Sequence, residues 1–391
     1  MLVKSLYGLR SAPKAWYLTL IAVLEQLGMS ASASDPGVWM VPGDGMGEAI
    51  EGIISLHVDD ILHAGSEKWM RIREQLWARF KFGSEKWGEF THLGMRVRQG
   101  EDGVITFDQE DKINSILPVE APPPPATTSR EEWYAQRVDQ ATQSNLRRLT
   151  GEVLWVATMT RPDVSCDVSL GSAHLIRATW GDVKIVNNML AALKKESGRG
   201  LTFIPLTGPV EVRAHSDAAF QNRDECDTQG GVLVSMCEQA CDGVRAEVVT
   251  VRSNLLAWRS GKLQRPVRST FGGETMQLSD TFDMSAVVRD MVQEAVGGRV
   301  PLHLVTDCMS LVDHLGSMRV SPREKRLRKE ISLIKRALHT GEISSVLHIA
   351  TQHNQADGLT KRTPKLKEGV WKAMAGWMLV PPWKGRKKGP V

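Results

Sequence analysis

Residues 55–65 read SLHVDDILHAG, with the adjacent acids Asp59 and Asp60 set between the apolar runs IEGIISLHV and ILHAG. Two such runs around a short polar centre are the pattern of a β-hairpin, with the acids at its turn. Isolated acids are costly to bury, and like charges side by side add to that cost. A divalent cation reverses it. The acid pair therefore raises the question of a bound metal, which the rest of the sequence has to answer.

Around it, APKAWYLTLIAVLEQLGM places Trp16, Leu20, Val23, Leu24 and Leu27 at helical spacing, with Gly28 as the stop. The Gly-rich VPGDGMGEA joins that helix to the hairpin. Downstream come a helix over 67–80, a strand THLGMRVRQ, a turn at Glu101-Asp102-Gly103 and a strand VITFD. The prolines of APPPPATTS (121–129) fit neither helix nor sheet and predict a stiff, extended linker. Helical patterns follow over 131–158, 164–178 and 182–196.

From about residue 202 the pattern alternates. VEVRAHSD, GGVLVSM and EVVTVRSNLLAW read as strands, 274–295 as a long helix, and PLHLVTD and SSVLHIAT as later strands with helices between and after them. This order predicts an α/β layer with a mixed sheet. Four acids mark it. Asp217 ends the first strand, Asp307 ends the fourth, Glu274 sits in the first turn of the long helix, and Asp357 opens the last short helix. Taken singly, Asp357 reads as a helix cap and Glu274 as a partner of the helix dipole. Taken together, they meet on one rim of the sheet, where they repel unless cations lie between them. Mg²⁺ suits such oxygen ligands, with Mn²⁺ as a substitute. Two such ions ~4 Å apart activate a water and stabilise the leaving oxygen of a phosphodiester.

Bulk composition is that of an ordinary globular protein. The 391 residues are 42% hydrophobic and 24% charged, with a net charge of +4, enough for two or three domains. Positive charge clusters in REKRLRKEISLIKR (323–336) and beyond residue 361. Arg323, Arg326, Arg328 and Lys329, with Arg10 and Lys14 near the start, are candidate contacts to nucleic-acid phosphates. The plainer alternative is a solvated helix face and a loose tail. Cysteines 166, 226, 237, 241 and 308 form no paired framework, which predicts reduced thiols in a cytoplasmic or nuclear rather than secreted protein. No apolar run approaches the ~20 residues of a membrane span.

Eight blocks in order carry a family resemblance. KSLYGLRSAPKAWY, LHVDDILHAG, THLGMRVRQGEDGVITFDQEDKI, RRLTGEVLWVATMTRPDVSCDVSLGS, AHSDAAFQNRDECDTQGGVLV, AWRSGKLQRPVRSTFGGETMQLS, VTDCMSLVDH and HNQADGLTK resemble the C-terminal part of the Pol polyprotein of Ty1/copia-type LTR retrotransposons. That part is a reverse transcriptase followed by ribonuclease H. The resemblance implies a multidomain α+β chain: a truncated polymerase palm and primer grip over 1–119, a Pro linker and helical thumb or connection over 120–200, a ribonuclease H-like mixed-sheet domain over 201–365, and a basic tail over 366–391. It implies Asp59 and Asp60 as polymerase metal ligands, and Asp217, Glu274, Asp307 and Asp357 as catalytic, two-metal Mg²⁺ ligands of the nuclease. The implied partners are an RNA–DNA hybrid and single-stranded template, with no membrane.

Departures shape the functional expectation. His57 replaces the usual Tyr, Ser11 the usual Gln, Gly272-Gly273 the first Glu-Ala of TEAEY, and TQGG the STSG element. The family's first palm acid lies upstream of the LYGL block at which this chain begins. The fingers and that acid are expected from an upstream segment or another chain. The expected protein is a Pol fragment: a polymerase remnant inactive alone, fused to a Mg²⁺-dependent ribonuclease H. The alternative is a non-catalytic, nucleic-acid-binding relic. His57 and His63 read as strand residues, His353 as a candidate proton shuttle, and Trp258 as a core residue or a stacking platform.

Overall fold

A computed structural model describes residues 10–45, 47–223, 226–240, 247–317 and 325–381. The chain divides into two compact units, 1–87 with 287–300 and 88–286 with 301–391.

The first unit begins with α1 (Ala12–Gln26), which buries Leu20 and Leu24. Gly28, at φ +81°, ends it in the left-handed conformation that glycine adopts without strain. Strands β1 (Ser30–Ala31), β2 (Val38–Val41), β3 (Gly52–His57) and β4 (Asp60–Gly65) form one antiparallel sheet in that order. Helix α2 (Glu67–Arg79) starts at Ser66, whose side chain accepts from the Lys68 amide. Trp69 of α2 lies fully buried over the facing pair Gly52 and Gly65, where a Cβ on either glycine would come within 2.7 Å of the Trp69 Cβ. Leu20, Leu24, Trp39, Val41, Ile54, Trp69 and Leu76 make this unit's core.

The second unit opens with β5 (Glu89–His92), β6 (Met95–Gln99) and β7 (Ile105–Asp108). The expected single strand THLGMRVRQ is thus two. Leu93 (φ +49°) and Gly94 (φ +75°) turn the chain between them, a two-residue link suited to the twist of a hairpin. Helices α3 (Glu110–Ser115), α4 (Arg130–Ala135), α5 (Gln140–Met159), α6 (Ser165–Gly171) and α7 (Trp180–Lys195) follow. The helix expected over 131–158 is also two. The chain leaves helix after Ala135, and Asp139 restarts it by accepting from the Thr142 amide at 2.7 Å. Strand β8 (Leu201–Phe203) returns to pair with β7.

The largest sheet has six strands: β9 (Val210–Ala219), β10 (Gln229–Glu238), β11 (Val249–Lys262), β12 (Leu302–Thr306), β13 (Ser345–His348) and β14 (Trp377–Val380), in the order β13-β12-β9-β10-β11-β14. β12 runs parallel to β9 and β13, and the remaining pairs are antiparallel, so the sheet is mixed and the fold class is α/β as expected. Its helices are α8 (Thr270–Val296), α9 (Met309–Gly316), α10 (Leu327–Thr340) and α11 (Pro364–Met374).

Three expectations are corrected here. Helix α8 begins at Thr270, so Glu274 is one turn further in than its first turn. Ser269 starts the helix, with its Oγ accepting from the Gly272 amide and its carbonyl from that of Gly273, and the two glycines do not break it. Asp357 does not open a helix or cap it: it is central in a 3₁₀ turn (Gln355–Leu359), which Asn354 caps through the Ala356 amide. The expected basic tail is folded over its described residues, which end at Pro381. There α11 packs Val370, Ala373 and Met374 into the core of the sheet, and β14 pairs with β11. The amphipathic WMLV of β14 is too short to stand out from its basic surroundings in sequence.

Candidate active site

The hairpin reading holds in the first unit. β3 and β4 pair from Gly52–Gly65 to His57–Asp60, and Val58 and Asp59 form the turn. Its acids are not buried. His57, Val58, Asp59 and Asp60 are all exposed, so no cation is needed to offset a cost of burial. Val58 adopts φ +57°, an outlier for a β-branched residue. The Trp16 indole N–H donates to its carbonyl at 2.9 Å and ties the turn to α1. Among the described residues, Asp59 and Asp60 join no group of three or more metal-ligating side chains. His63 faces inward: its Nδ1 accepts from Trp69 Nε1 at 3.2 Å, and its Nε2 is 3.2 Å from Glu85.

The four acids expected on one rim of the sheet lie in the second unit. β9 is buried along both faces, and Asp217 sits near its end, paired with Gly231 of β10. Asp307 follows the last residue of the adjacent parallel strand β12. Glu274 reaches in from α8 and accepts from the Ala218 amide at 3.4 Å. Ligand oxygens of Asp217, Glu274 and Asp307 all lie within 4.8 Å of one another. At such a spacing, each pair of ionised carboxylates repels by about 3 kcal/mol in an effective dielectric near 20. Burial first, then Asp217 and Asp307, push the Glu274 carboxyl up to about 9. Asp307 is also raised, by burial and by Asp217, although the Thr351 hydroxyl donates to it at 2.7 Å. Glu274 Oε2 is buried with no hydrogen-bond partner among the described residues. Three converging carboxylates with one unanswered oxygen match the donor set of a hard divalent cation.

Asp357 is buried and completes the set from the other side. Burial first, then the neighbouring Asp217, push its carboxyl up to about 7. It stands outside the group of three and carries its own counter-charge, with Lys361 Nζ 3.0 Å from Asp357 Oδ1 and 3.6 Å from Asp217 Oδ2. The Thr360 hydroxyl donates to Asp217. Thr351, Thr360 and Lys361 were not singled out from sequence. Thr360 and Lys361 stand in the final HNQADGLTK block, and Lys361 is the i+4 neighbour of Asp357, a spacing that signals an ion pair. Thr351 left no signal, since nothing in the order of residues brings it to Asp307.

Of the expected phosphate contacts, Arg10, Lys14, Arg326, Arg328 and Lys329 are exposed, and Arg323 lies outside the described residues. Arg326, Arg328 and Lys329 gather at the start of α10, where positive charge opposes the helix dipole. Trp258 is a packing residue: its indole N–H donates to the Ala157 carbonyl at 2.9 Å. His353 lies in the 3₁₀ turn (Thr351–His353) that holds Thr351 against Asp307.

The acids thus stand at the rim of a six-stranded mixed sheet in an α/β unit, and the chain was compared with known proteins. A family model described as reverse transcriptase (RNA-dependent DNA polymerase) matches residues 1–120. The chain is 24% identical over 397 residues to the retrovirus-related Pol polyprotein from transposon RE1 of Arabidopsis thaliana, covering 97% of this chain and 25% of that one. It is 24% identical over 393 residues to the Pol polyprotein from transposon TNT 1-94 of Nicotiana tabacum, covering 95% and 28%. The chain is thus similar along nearly its whole length to these retrotransposon Pol polyproteins and spans about a quarter of theirs. Among solved structures, it is similar to a foamy viral protease-reverse transcriptase in complex with double-stranded DNA (TM-score 0.47, 13% identity, 87% of this chain and 49% of that one). It is also similar to LC11-RNase H1 in complex with RNA/DNA hybrid (TM-score 0.28, 12% identity, 41% and 99%).

Proposed function

We propose that the second unit is a Mg²⁺-dependent ribonuclease H that hydrolyses the RNA strand of an RNA–DNA hybrid. The observation that carries the reading is the convergence of Asp217, Glu274 and Asp307, from two strands and a helix far apart in sequence, with Asp357 at their side. Bound divalent ions would supply an activated water and charge stabilisation at the scissile phosphate. The chain's part is to hold ions and orient them. Asp217 is shared by both halves of the cluster, Glu274 and Asp307 complete one half, and Asp357 the other. Thr351 and Thr360 fix the rotamers of Asp307 and Asp217. Arg326, Arg328 and Lys329 are proposed to track backbone phosphates, and the 2′-hydroxyl to mark the strand that is cut. Asp59 and Asp60 are proposed to be the metal-facing pair of a polymerase-type hairpin, completed by a carboxylate from outside the described residues.

The test is cleavage of an end-labelled RNA–DNA hybrid by the purified chain. Cutting is expected with Mg²⁺, none is expected with EDTA, and Asp217→Asn should lower the rate at least 100-fold, on the order of a lost electrostatic contact at the reacting centre. Binding of the hybrid without Mg²⁺-dependent cutting would overturn the catalytic reading.

A further inference from the structure

The ammonium of Lys361 stands between the two carboxylates that would otherwise share a cation. Its Nζ is 3.0 Å from Asp357 Oδ1 and 3.6 Å from Asp217 Oδ2. Asp217 in turn belongs to the group it forms with Glu274 and Asp307. We infer that Lys361 is a tethered cation filling the Asp217–Asp357 half of the cluster, so that the resting protein takes one divalent ion, at Asp217, Glu274 and Asp307, and admits a second only when the lysine swings out. This inference rests on the metal reading proposed above.

The geometry separates a fixed turn from a movable side chain. The turn that carries Lys361 is pinned at three points: Asn222 Nδ2 donates to the Thr360 carbonyl at 2.8 Å, Ser260 Oγ to the Leu359 carbonyl at 2.6 Å, and the Thr360 hydroxyl to Asp217. Asp217 and Asp357 are almost fully enclosed, with side-chain exposures of 3% and 2%, whereas the Lys361 side chain is 38% exposed. Its four-carbon stem can therefore rotate into solvent while the backbone and both carboxylates stay in place. The partial burial of the ammonium is tolerable only because two acids face it.

Charge dictates the order of events. With one divalent ion at the three-acid group and the lysine in place, the four carboxylates are nearly balanced. A second divalent ion would meet an ammonium already in its position. An incoming phosphodiester adds negative charge at the rim, offers the lysine a new partner and vacates the inner half. Lys361 thus positions the second ion by yielding to it. It sets how many ions the free protein holds and ties the second to the arrival of a polyanion.

Titration of the full chain with Mn²⁺, read by calorimetry and by electron paramagnetic resonance of the free ion, tests this. Wild type should take up one ion, Lys361→Met two, and Lys361→Arg one again. Lys361→Gln serves as a second neutral variant, with circular dichroism of each variant as the folding check. Mass-spectrometric amine labelling of wild type gives a readout that needs no variant. Lys361 should be protected without metal and with one ion, and become reactive at the Mn²⁺ concentration that fills a second site. Two ions bound by wild type, with no change in Lys361→Met, would overturn the inference and leave the metal reading standing. No uptake in any chain, with Asp217→Asn indistinguishable from wild type, would overturn both.

Discussion

At the scale of single residues, the chain places strain and charge where the chemistry is expected. Val58 holds a left-handed backbone between His57 and the acid pair, a conformation that costs a β-branched residue about 1–3 kcal/mol. Val58→Asn, which adopts it more readily, should stabilise the first unit by about 1 kcal/mol in urea unfolding, and an unchanged midpoint would show that the turn relaxes in solution. The sequence singled out Asp217, Glu274, Asp307 and Asp357 because acids at strand ends and helix starts are hard to explain separately, and three of them come within 4.8 Å of one another. It did not show that Lys361 would lie among them. An acid draws notice where a strand should stop, whereas a lysine beside a turn reads as ordinary surface. The same bias misread the hairpin pair, whose apolar flanks suggested burial although the tip is exposed.

At the scale of elements, β9 shows why some features were legible and others were not. Glu211, Arg213, His215 and Asp217 alternate with the smaller or apolar Val212, Ala214 and Ser216, close to the pattern of a strand with one wet face. The strand itself could be read, but its surroundings could not. All four side chains are buried, each with a local partner: Arg213 donates to Glu211, His303 lies 3.4 Å from Glu211, His215 Nδ1 is 3.3 Å from Asn354 Oδ1, and Thr360 donates to Asp217. Arg213 and Glu211 pair along the strand itself, but the other partners come from residues 90 or more positions away, and no local pattern announces them. The glycines of TQGG are the complementary case. A Cβ on Gly231 would stand 2.9 Å from Leu359 Cβ and Thr360 Cγ2 and 3.0 Å from the Ala356 carbonyl, so a bare backbone there lets the Asp357 turn lie on the sheet. Gly231→Ala should push that turn off Asp217, cost about 1–3 kcal/mol of stability and reduce cutting of the hybrid more than its effect on folding explains. Parallel urea melts and single-turnover rates separate the two effects, and wild-type cleavage by the variant would refute the role given to this close approach.

At the scale of the whole molecule, the second unit is held together by a few buried polar joints as much as by its apolar core. Arg161 donates to both oxygens of Asp163 at 2.8 and 2.9 Å, Trp371 of α11 donates to Asp163 at 3.1 Å, and the Arg199 guanidinium lies 4.2 Å from the Trp371 ring. Burial pushes the Asp163 carboxyl up, but the Arg161 and Trp371 bonds outweigh it and hold it below its usual range. A carboxyl lowered in the fold contributes stability above its unfolded pKa and loses it as pH falls through the folded value. Unfolding should therefore become easier below about pH 4. Asp163→Asn should cost about 3–5 kcal/mol at neutral pH by stranding a buried guanidinium, and should flatten the acid limb; equal limbs in the two melting series would refute the assignment. The closing strand carries a different consequence. β14 covers the outer edge of β11 from Val249 to Arg252, buries Met378 and Val380, and leads to the Pro381 carbonyl, which accepts from Arg213. A premature stop codon just ahead of Trp377 would bare a row of unsatisfied amides beside an apolar hollow, and the shortened product would recruit its own copies along that seam, a route from a small genetic lesion to insoluble protein.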